Sequence, residues 1–336
     1  MDEESEWGKM AWYRVYEKES GLKQKFWAAE QNKNPQVEGT EALVGAFEYV
    51  AGRIHAYRFT TGVLKQCVQK GLQLCANTPV HSILPSPAKS PSEPHLYNIF
   101  TQYTTITSHN VILATNGYTP YLLNSLQGAI VPLRGQITAQ QPPATAKHPS
   151  VLPRTYSFIY SSGYEYMIPR PLPDGTQHII IGGGLGRQPH GGANEFGTVD
   201  DSSLNADISK YLRASVSGYF GAPSPDEPST DQPAYETVAE WSGIMGATAD
   251  GRPFVGQVPG QKGMWISAGF NGHGMVLCLK SAEALVKMMD GSTDSNGVEW
   301  FPKSFLISRE RLGKCRFQGR TDMPVPETGE GPVVDG

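Results

Sequence analysis

The sequence lacks the patterns that build disulfide frameworks, metal centres and membrane-spanning helices. Its four cysteines show no Cys-x-x-Cys spacing, and its eight histidines include no His-Glu-x-x-His pair, so we expect neither disulfides nor a bound metal. No window of about 18 residues is continuously apolar, as a transmembrane helix would require. Lys and Arg number 28 against 32 Asp and Glu, a net charge of −4, without the basic surface typical of nucleic-acid binding.

The N-terminus also lacks the basic and apolar residues of a secretory signal. It begins Met-Asp-Glu-Glu-Ser-Glu, which is the opposite charge pattern. We therefore expect a cytoplasmic protein without nucleic-acid or membrane partners. The 336 residues are enough for one large domain or two ordinary ones. The oligomeric state is not indicated.

Glycine is plentiful, and two glycine-rich segments near the C-terminal end organise the rest of the chain. They are Trp241–Gly256 and Met264–Met275. The second passes from an apolar strand through glycines into a helix predicted over 273–289. Such a junction leaves backbone N–H groups unpaired at a helix N-terminus, where they meet a bound planar or anionic group. Glycine is needed there because a Cβ atom would block the approach.

The remaining pattern predicts a mixed α/β (α+β) fold. Residues 55–71 form an amphipathic helical pattern that ends at glycine. The run Val111–Thr115 is apolar enough for a strand buried on both faces, as parallel strands are. Residues 128–182 are rich in strands, and a helix follows over 204–219. Residues 1–40 suggest a helix and a loop, and 318–336 contain too few apolar residues to fold, which indicates a disordered tail.

Several segments resemble one enzyme family. Asp250–Gly256 matches Asp-Gly-x-Pro-x-x-Gly, Gly269–Gly274 matches Gly-Phe-x-Gly-His-Gly, and Leu133–Gln136 contains Arg-Gly-Gln. Over residues 26–291 the chain is similar to the FAD-dependent oxidoreductases of the D-amino-acid oxidase/sarcosine oxidase (DAO) superfamily. The resemblance implies a discontinuous FAD/NAD(P)-binding-like domain with an inserted antiparallel sheet covering the reactive face of the flavin. The implied ranges are 53–125 and 241–291 for the partial FAD-binding domain, 126–240 for the β-rich substrate domain, and 1–52 for an N-terminal helical segment of the substrate domain.

One family feature is missing from the sequence. The N-terminal Gly-x-Gly-x-x-Gly unit that cradles the pyrophosphate is absent. Gly182–Arg187 does not replace it, because a match beginning at Gly182 would need glycine at 187, and we interpret it as a strand ending in a glycine turn. The absence indicates a truncated chain, a weakly bound or absent cofactor, or a second polypeptide that supplies the missing half.

The resemblance implies a set of flavin-contacting residues. His273 stands where the family keeps a histidine beside the flavin ring, and Arg134 is a candidate electrostatic partner; both are candidate catalytic residues. A structural histidine and a surface arginine are the alternatives. Gly243 stands where covalent members of the group carry a cysteine, so we expect noncovalent FAD. The candidate cofactor-binding residues are Val80, Ala114, Thr115, Gly117, Gly135, Gly243, Ile244, Met245, Gly269, Phe270, Asn271, Gly272, His273, Gly274 and Met275.

The candidate substrate residues are Tyr164, Tyr166 and Arg170. In the alternating strand they share, Glu165 should point away from the substrate face. Family patterns place an arginine near 245 and a lysine near 276 to hold a substrate carboxylate, but this sequence has apolar residues at both positions. Arg134, Arg170 and Lys280 are the possible substitutes.

The sequence therefore predicts an enzyme that uses FAD to oxidise the C–N bond of a small amine or amino-acid-like substrate to an imine, with O₂ as the electron acceptor. The alternative is a truncated homologue that binds no flavin and is not catalytic, or that needs a partner chain.

Overall fold

The computed structural model describes residues 13–17, 45–49, 51–87, 97–142, 152, 154–160, 163–220, 235–291 and 298–317. The predicted disordered tail, 318–336, lies outside the described residues. The chain divides into two compact units. Unit 1 comprises Met1–Ile54, Gly135–Gly192 and Asp201–Gly243, and unit 2 comprises His55–Arg134, Ala193–Asp200 and Ile244–Gly336. The domain ranges inferred from the sequence stay a prediction.

Both units contain strands and helices, in agreement with the predicted mixed α/β fold. In chain order the elements are β1 (Tyr13–Glu17), β2 (Gly45–Tyr49), α1 (Ala56–Gln69), β3 (Val80–Pro85), β4 (Tyr97–Thr101), β5 (Thr105–Ser108), β6 (Val111–Leu113), α2 (Thr119–Leu122), β7 (Ile130–Gln141), β8 (Tyr156–Tyr160), β9 (Gly163–Pro171), β10 (Gln177–Gly182), α3 (Ala206–Phe220), β11 (Glu236–Thr248), β12 (Phe254–Gln257), β13 (Met264–Ala268), α4 (Gly274–Met289) and α5 (Arg309–Lys314).

The helix expected near the N-terminus is wrong for the part that the structure describes. Residues 13–17 form strand β1, which pairs antiparallel with β2. The segment reads Tyr-Arg-Val-Tyr-Glu, and aromatic and β-branched residues at alternating positions favour a strand when a partner strand is present. The partner lies about 30 residues further along the chain, and a local pattern does not reveal it.

Unit 1 is built on a five-stranded sheet in the order β11-β7-β10-β9-β8. The pairs β7–β10, β10–β9 and β9–β8 are antiparallel. Helix α3 packs on one face of this sheet, where Met167, Ile179, Ile181 and Leu212 are buried together. Because side chains alternate across a strand, the residues between these positions lie on the opposite face. The chain passes from unit 2 into unit 1 within β7, and from unit 1 into unit 2 within β11.

Unit 2 contains two three-stranded sheets, β3-β4-β5 and β12-β13-β6. The alternating segments 97–100 and 104–107 predict a hairpin, which is confirmed because β4 and β5 pair antiparallel. Strand β6 is parallel to β13, as its unbroken apolar run predicts, and β12 is antiparallel to β13. Ile266 and Phe254 are fully buried on one face of the second sheet, and α4 buries Ala284 and Leu285 on the other face.

Helix α1 confirms the predicted helix over 55–71, but none of its residues is buried. Its apolar side chains remain largely exposed, as in Tyr57 at 74% and Val63 at 47%. The amphipathic pattern therefore predicts the helix correctly. It does not identify a surface that packs against the apolar side of the helix.

Strand β10 ends at Gly182, and the two glycines that follow have φ values of +128° and +80°. This confirms the interpretation of Gly182–Arg187 as a strand ending in a glycine turn. Where the chain is described, no helix combines the length and apolar character that crossing a membrane would demand. The same part of the chain contains no group of three or more His, Cys, Asp or Glu side chains arranged to hold a metal ion.

Candidate functional site

The loop between β13 and α4 is held in a left-handed conformation. Gly269, Asn271 and Gly272 have φ values of +79°, +51° and +78°, a region that glycine and asparagine adopt most readily. Gly269 also lies against Thr248, and a Cβ atom added there would be 2.5 Å from the Thr248 Cγ2 atom. The glycine-rich pattern of the sequence is therefore required by the path of the backbone.

The side chain of Asn271 ties this loop to the end of β11. Its Oδ1 atom accepts a hydrogen bond from the Thr248 N–H at 2.8 Å, and its Nδ2 atom donates to Thr248 Oγ1 at 2.9 Å and to the Gly269 carbonyl at 2.7 Å. The Asn271 N–H donates to the Gly246 carbonyl at 2.8 Å. Every polar atom of the Asn271 amide is thereby used to fix the loop.

Asn116, which follows β6, ties the same loop to a third segment. Its Oδ1 atom accepts from the Gly269 N–H at 2.9 Å and from the Phe270 N–H at 3.2 Å, and its own φ is +44°. Gly246 allows this approach, because a Cβ atom there would lie 2.6 Å from the Asn116 Oδ1 atom. Sequence reasoning missed Asn116 as a site residue, although its neighbours Thr115 and Gly117 are among the candidate cofactor-binding residues.

Three backbone N–H groups remain open where this loop enters α4. Those of Gly272, Gly274 and Met275 find no acceptor within the described parts of the chain, whereas the His273 N–H donates to the Phe270 carbonyl at 2.8 Å. These donors sit at the positive end of the α4 dipole. The arrangement can bind an electron-rich carbonyl or an anion.

His273 is exposed and precedes the first residue of α4. Its Nδ1 atom lies 2.8 Å from the Asn271 carbonyl. A carbonyl oxygen only accepts hydrogen bonds, so the Nδ1 atom carries the proton that it donates. The Nε2 atom takes no part in this hydrogen bond. The histidine is thus held by the same loop that presents the open N–H groups.

Arg134 makes a two-pronged ion pair with Glu195 in unit 2. The distances are 2.6 Å from Nε to Oε2 and 3.2 Å from Nη2 to Oε1, and Glu195 is 1% exposed. The hydrogen bond to Glu195 raises the pKa of Arg134, an effect that partial burial opposes. The guanidinium group of Arg134 is thus paired with the Glu195 carboxylate. A role for Arg134 beside the flavin stays a prediction.

A second ion pair clamps the Asp-Gly-Arg-Pro segment, and the sequence did not indicate it. Arg311 of α5 binds both Asp250 carboxylate oxygens at 2.8 and 3.0 Å and donates to the Pro253 carbonyl at 2.8 Å. Its guanidinium carbon lies 4.0 Å from the Phe254 ring centroid. Burial, the largest single effect, would raise the pKa of Asp250, but the hydrogen bonds to Arg311, the Arg311 charge and the Arg252 N–H together outweigh it and hold that pKa below its usual value.

In unit 1, Tyr164 and Tyr166 lie on the face of β9 opposite α3. Glu165 points into the core and is fully buried, where the Tyr219 hydroxyl donates to its Oε2 atom at 3.3 Å. This is the alternation that the sequence predicts. The Tyr166 ring covers Gly182, where an added Cβ atom would lie 2.5 Å from the hydroxyl oxygen. Burial, with a smaller effect of Tyr164, raises the pKa of Tyr166 to about 12, so its hydroxyl stays protonated.

Arg170 lies on the same face as Tyr166 and pairs across the strands with His178. Its Nη2 atom is 2.5 Å from the His178 Nδ1 atom, which must therefore accept the hydrogen bond in its neutral form. Burial and the nearby Arg170 charge both lower the pKa of His178.

The structure brings some of the predicted flavin residues together. Gly117 packs against Ile244 and the Met245 carbonyl, next to the Gly246 and Asn116 contacts. Val80 begins β3 and pairs with Thr101, and the Thr115 hydroxyl bonds to Thr119 at 2.9 Å. Ala114 is exposed. Gly135 and Gly243 belong to unit 1, and a Cβ atom at Gly243 would meet no atom within 4 Å.

Comparison with known proteins places the chain in a family. The family model described as FAD dependent oxidoreductase (DAO) matches residues 2–288. Glycine oxidase of Pseudomonas aeruginosa is 29% identical over 188 residues, which are 55% of this chain and 43% of that protein. Glycine oxidase of Pseudomonas putida is 28% identical over 136 residues, 40% of this chain and 31% of that protein. The chain thus spans less than half the length of these relatives.

Solved structures of similar fold include glycine oxidase from Geobacillus kaustophilus, with a TM-score of 0.62, 20% identity, and coverage of 90% of this chain and 69% of that one. L-proline dehydrogenase from P. horikoshii gives a TM-score of 0.60 at 16% identity, with coverage of 90% and 69%. The fold of these structures agrees with the fold predicted from the sequence. Together with the match to the family model, this agreement supports one assignment. The chain belongs to the DAO family of FAD-dependent oxidoreductases.

Proposed function

We propose that this chain is part of an FAD-dependent oxidoreductase that oxidises the C–N bond of a small amine or amino-acid-like substrate to an imine, with O₂ as electron acceptor. The family assignment supports the cofactor, and similarity to glycine oxidases and to the fold of an L-proline dehydrogenase supports an amine substrate. The observation that carries the proposal is the cluster of open N–H groups at Gly272, Gly274 and Met275, at the start of α4.

The residues at this loop fit the ring end of FAD. The glycines leave the backbone accessible to a planar group, and the three donors match the carbonyl edge of an isoalloxazine ring. The pyrophosphate end lacks the corresponding feature, because the sequence contains no Gly-x-Gly-x-x-Gly turn. The chain therefore offers a fitting ring site without its own phosphate cradle of the usual kind.

When bound, FAD supplies the two-electron acceptor for amine oxidation. The N–H groups of Gly272, Gly274 and Met275, together with the α4 dipole, would hold the ring edge of FAD and stabilise negative charge there. His273 adds a polarisable group whose orientation is fixed by Asn271. Asn116 and Asn271 hold the loop in shape, so these donors need no reorganisation when the ligand binds.

On the substrate side we propose Tyr164 and Tyr166 as contact residues. The Tyr166 hydroxyl remains protonated because its pKa is about 12, and it can donate a hydrogen bond to a substrate heteroatom. Met245 and Val276 carry no charge, so we favour an amine that is bulkier or less acidic than a simple α-amino acid. Gly243 provides no sulfur for a covalent link, and we propose noncovalent FAD.

The second candidate is a homologue that binds no flavin and has no catalytic activity. The missing phosphate-binding pattern is the observation that favours it. Purified protein, with FAD added during purification, distinguishes the two: absorbance bands at about 375 and 450 nm indicate oxidised flavin. Bleaching of these bands on anaerobic addition of glycine, L-proline or N-methylglycine would support the oxidoreductase. A folded protein that stays colourless with added FAD would support the second candidate.

A further inference from the structure

A polar cavity in unit 2 is lined by the Asp-Gly-Arg-Pro turn and by helix α5. Its volume is about 380 Å³, which is within the range of small-molecule sites in proteins. The turn after β11, residues 303–308 and α5 form its wall. This space is called the α5 cavity below, and the charged residues of its lining are Asp250, Arg252, Lys303, Glu310, Arg311 and Lys314.

Positive charge is in excess in the α5 cavity, because its lining contains four cations and two carboxylates. Both carboxylates are already paired. Arg311 donates to the two oxygens of Asp250 at 2.8 and 3.0 Å, and the Lys314 amino group donates to Glu310 at 2.7 Å. The cavity therefore presents no unpaired carboxylate of its lining to a bound anion.

Arg252 and Lys303 supply the excess charge. Within the described parts of the chain, neither side chain has a hydrogen-bond or ion-pair partner, and both are exposed. Like charges that line one cavity repel each other. An anion bound between them would remove this repulsion and accept charge-assisted hydrogen bonds from both.

The turn that carries Arg252 is fixed by hydrogen bonds. The Arg252 N–H donates to Asp250 Oδ1 at 3.2 Å. The Arg252 carbonyl accepts from Arg311 Nη2 at 2.7 Å and from Thr248 Oγ1 at 3.0 Å. Only the side chain of Arg252 remains to be ordered when a ligand binds, which lowers the entropic cost of binding.

We propose that the α5 cavity is a binding site for a phosphate group, either as the free ion or as a small phosphate ester. A phosphate monoester carries close to two negative charges at neutral pH and has three terminal acceptor oxygens. The charge matches the excess in the cavity. Arg252, Lys303 and the Ser304 hydroxyl come from two separate segments, so their donors approach from different directions, as a tetrahedral group requires. A carboxylate offers only two oxygens in one plane.

The size and lining of the α5 cavity also restrict the rest of the ligand. A water molecule takes about 30 Å³ of liquid, so the cavity has more room than the five heavy atoms of a phosphate need. Among the described residues that line it, none is aromatic, so the cavity offers no ring on which a nucleobase would stack. The structure therefore favours a phosphate with a small polar substituent over a nucleotide.

The inference goes beyond the proposed function, since it concerns a ligand that takes no part in amine oxidation. The α5 cavity shares no residue with the loop between β13 and α4. The probe is glycerol 3-phosphate, and inorganic phosphate and succinate are the comparison ligands. Binding to the full 336-residue chain is measured by isothermal titration calorimetry at low ionic strength. FAD is left out, because its own pyrophosphate would compete.

Arg252→Gln and Lys303→Gln are the test variants, and Arg309→Gln and Lys262→Gln are their matched controls. Arg309 and Lys262 are exposed cations of the same unit that do not line the cavity. Arg309 lies beside Gly260 instead, where an added Cβ atom would be 3.2 Å from its Nη2 atom. Each of the four variants loses one positive charge from an exposed side chain, so we expect all of them to fold, which thermal unfolding verifies.

We expect the unaltered chain to bind glycerol 3-phosphate with a Kd of about 1 mM or lower and to bind succinate at least about fivefold more weakly. Each test variant should weaken the binding of glycerol 3-phosphate by about tenfold, because a charge-assisted hydrogen bond is lost. Each control should change it by less than about twofold, since an exposed charge outside the site acts only through screened attraction.

Absence of binding by both phosphate ligands would overturn the proposal. Equal weakening by all four variants would also overturn it, because it would indicate attraction by the surface charge alone. Succinate binding as tight as that of glycerol 3-phosphate would refute the choice of a phosphate group. If the test variants weaken binding as expected, tighter binding of glycerol 3-phosphate assigns the site to an ester, and equal or tighter binding of inorganic phosphate assigns it to the free ion. No flavin is present, so this site and the proposed function fail separately.

Discussion

Asn116 should hold the loop between β13 and α4 in one conformation, and substitution of Asn116 gives a quantitative test of this role. The Oδ1 atom of Asn116 accepts hydrogen bonds from the N–H groups of Gly269 and Phe270, both buried residues. Asn116 itself has a φ of +44°, which alanine adopts at a cost. Asn116→Ala therefore loses two separate contributions, the hydrogen-bond acceptor and the tolerance of a positive φ. Three variants separate the two.

Asn116→Gly removes the acceptor but tolerates the backbone conformation. A buried N–H left without a partner costs about 1–3 kcal/mol, so opening of the loop should become easier by at least about fivefold. Asn116→Ala adds the left-handed penalty of about 1–2 kcal/mol, a further factor of about ten. Asn116→Asp keeps both an acceptor oxygen and tolerance of positive φ, and should stay close to the unaltered protein.

Amide hydrogen exchange measured by mass spectrometry on peptides covering 264–272 reports this opening locally. We expect exchange at Gly269 and Phe270 to be fastest in Asn116→Ala, intermediate in Asn116→Gly and nearly unchanged in Asn116→Asp. Equal rates in all three variants would mean that the asparagine does not hold the loop. The measurement needs no bound flavin, so it tests the loop architecture directly.

Three other predictions concern the same unit and its boundary. Gly246→Ala should lower the unfolding temperature, since its Cβ atom would lie 2.6 Å from a side-chain oxygen and overpacking costs about 1–3 kcal/mol. Gly243→Ala is the control, because a Cβ atom there meets no atom within 4 Å. Equal shifts in the unfolding temperature of the two variants would refute the steric argument. His273→Ala should slow substrate-dependent flavin reduction in stopped-flow measurements more than it weakens FAD binding; equal losses would make the histidine structural. The Asp250–Arg311 pair holds the Asp250 pKa below 3.8, so its stabilisation is present above that pH and is lost as pH falls through the lowered pKa. The unfolding temperature should therefore fall less between neutral and low pH in Arg311→Met than in the unaltered protein. The same fall in both proteins would contradict this role of the ion pair.

The local parts of the fold could be predicted from the sequence. The run Val111–Thr115 predicts a parallel strand, and the glycine turn after 182 predicts the end of β10, because each pattern reflects the backbone of its own segment. The expected burial on both faces is wrong, since Leu113 is buried but Ile112 is 47% exposed. The strand–loop–helix junction at 264–289 follows from the same kind of local information. Alternation along β9 likewise predicts that Glu165 and Tyr166 face opposite sides.

The long-range contacts could not be predicted in this way. Arg134 and Glu195 are 61 residues apart, and so are Asp250 and Arg311; no spacing rule connects such pairs. The clamp by Arg311 lies beyond the segments that carry the family resemblance. Asn116 was visible as part of a strand-to-helix turn, but its two acceptor contacts depend on the path of a loop about 150 residues later.

The three cations named as possible substitutes for a carboxylate anchor bear on the substrate class. Of the three substitute anchors, Arg134 is bound to the buried Glu195, and Lys280 pairs with Glu283 at 2.7 Å. Arg170 donates to His178 at the turn end of β9. A carboxylate arriving at Arg134 would have to displace Glu195 from a paired position at 1% exposure, and removing one partner from a buried pair costs about 3–5 kcal/mol.

A simple amino acid should therefore gain little from its carboxylate in this protein. Glycine and glycinamide differ in that charge but share the reacting C–N bond, so they form a matched pair. We expect flavin-loaded protein to show a kcat/KM for glycinamide equal to or above that for glycine, since no preferred carboxylate anchor offsets the desolvation of the anion. A preference for glycine of about tenfold or more, equivalent to about 1.4 kcal/mol, would mean that one of these cations leaves its partner for the substrate. Arg134→Gln would then identify whether Arg134 is that cation.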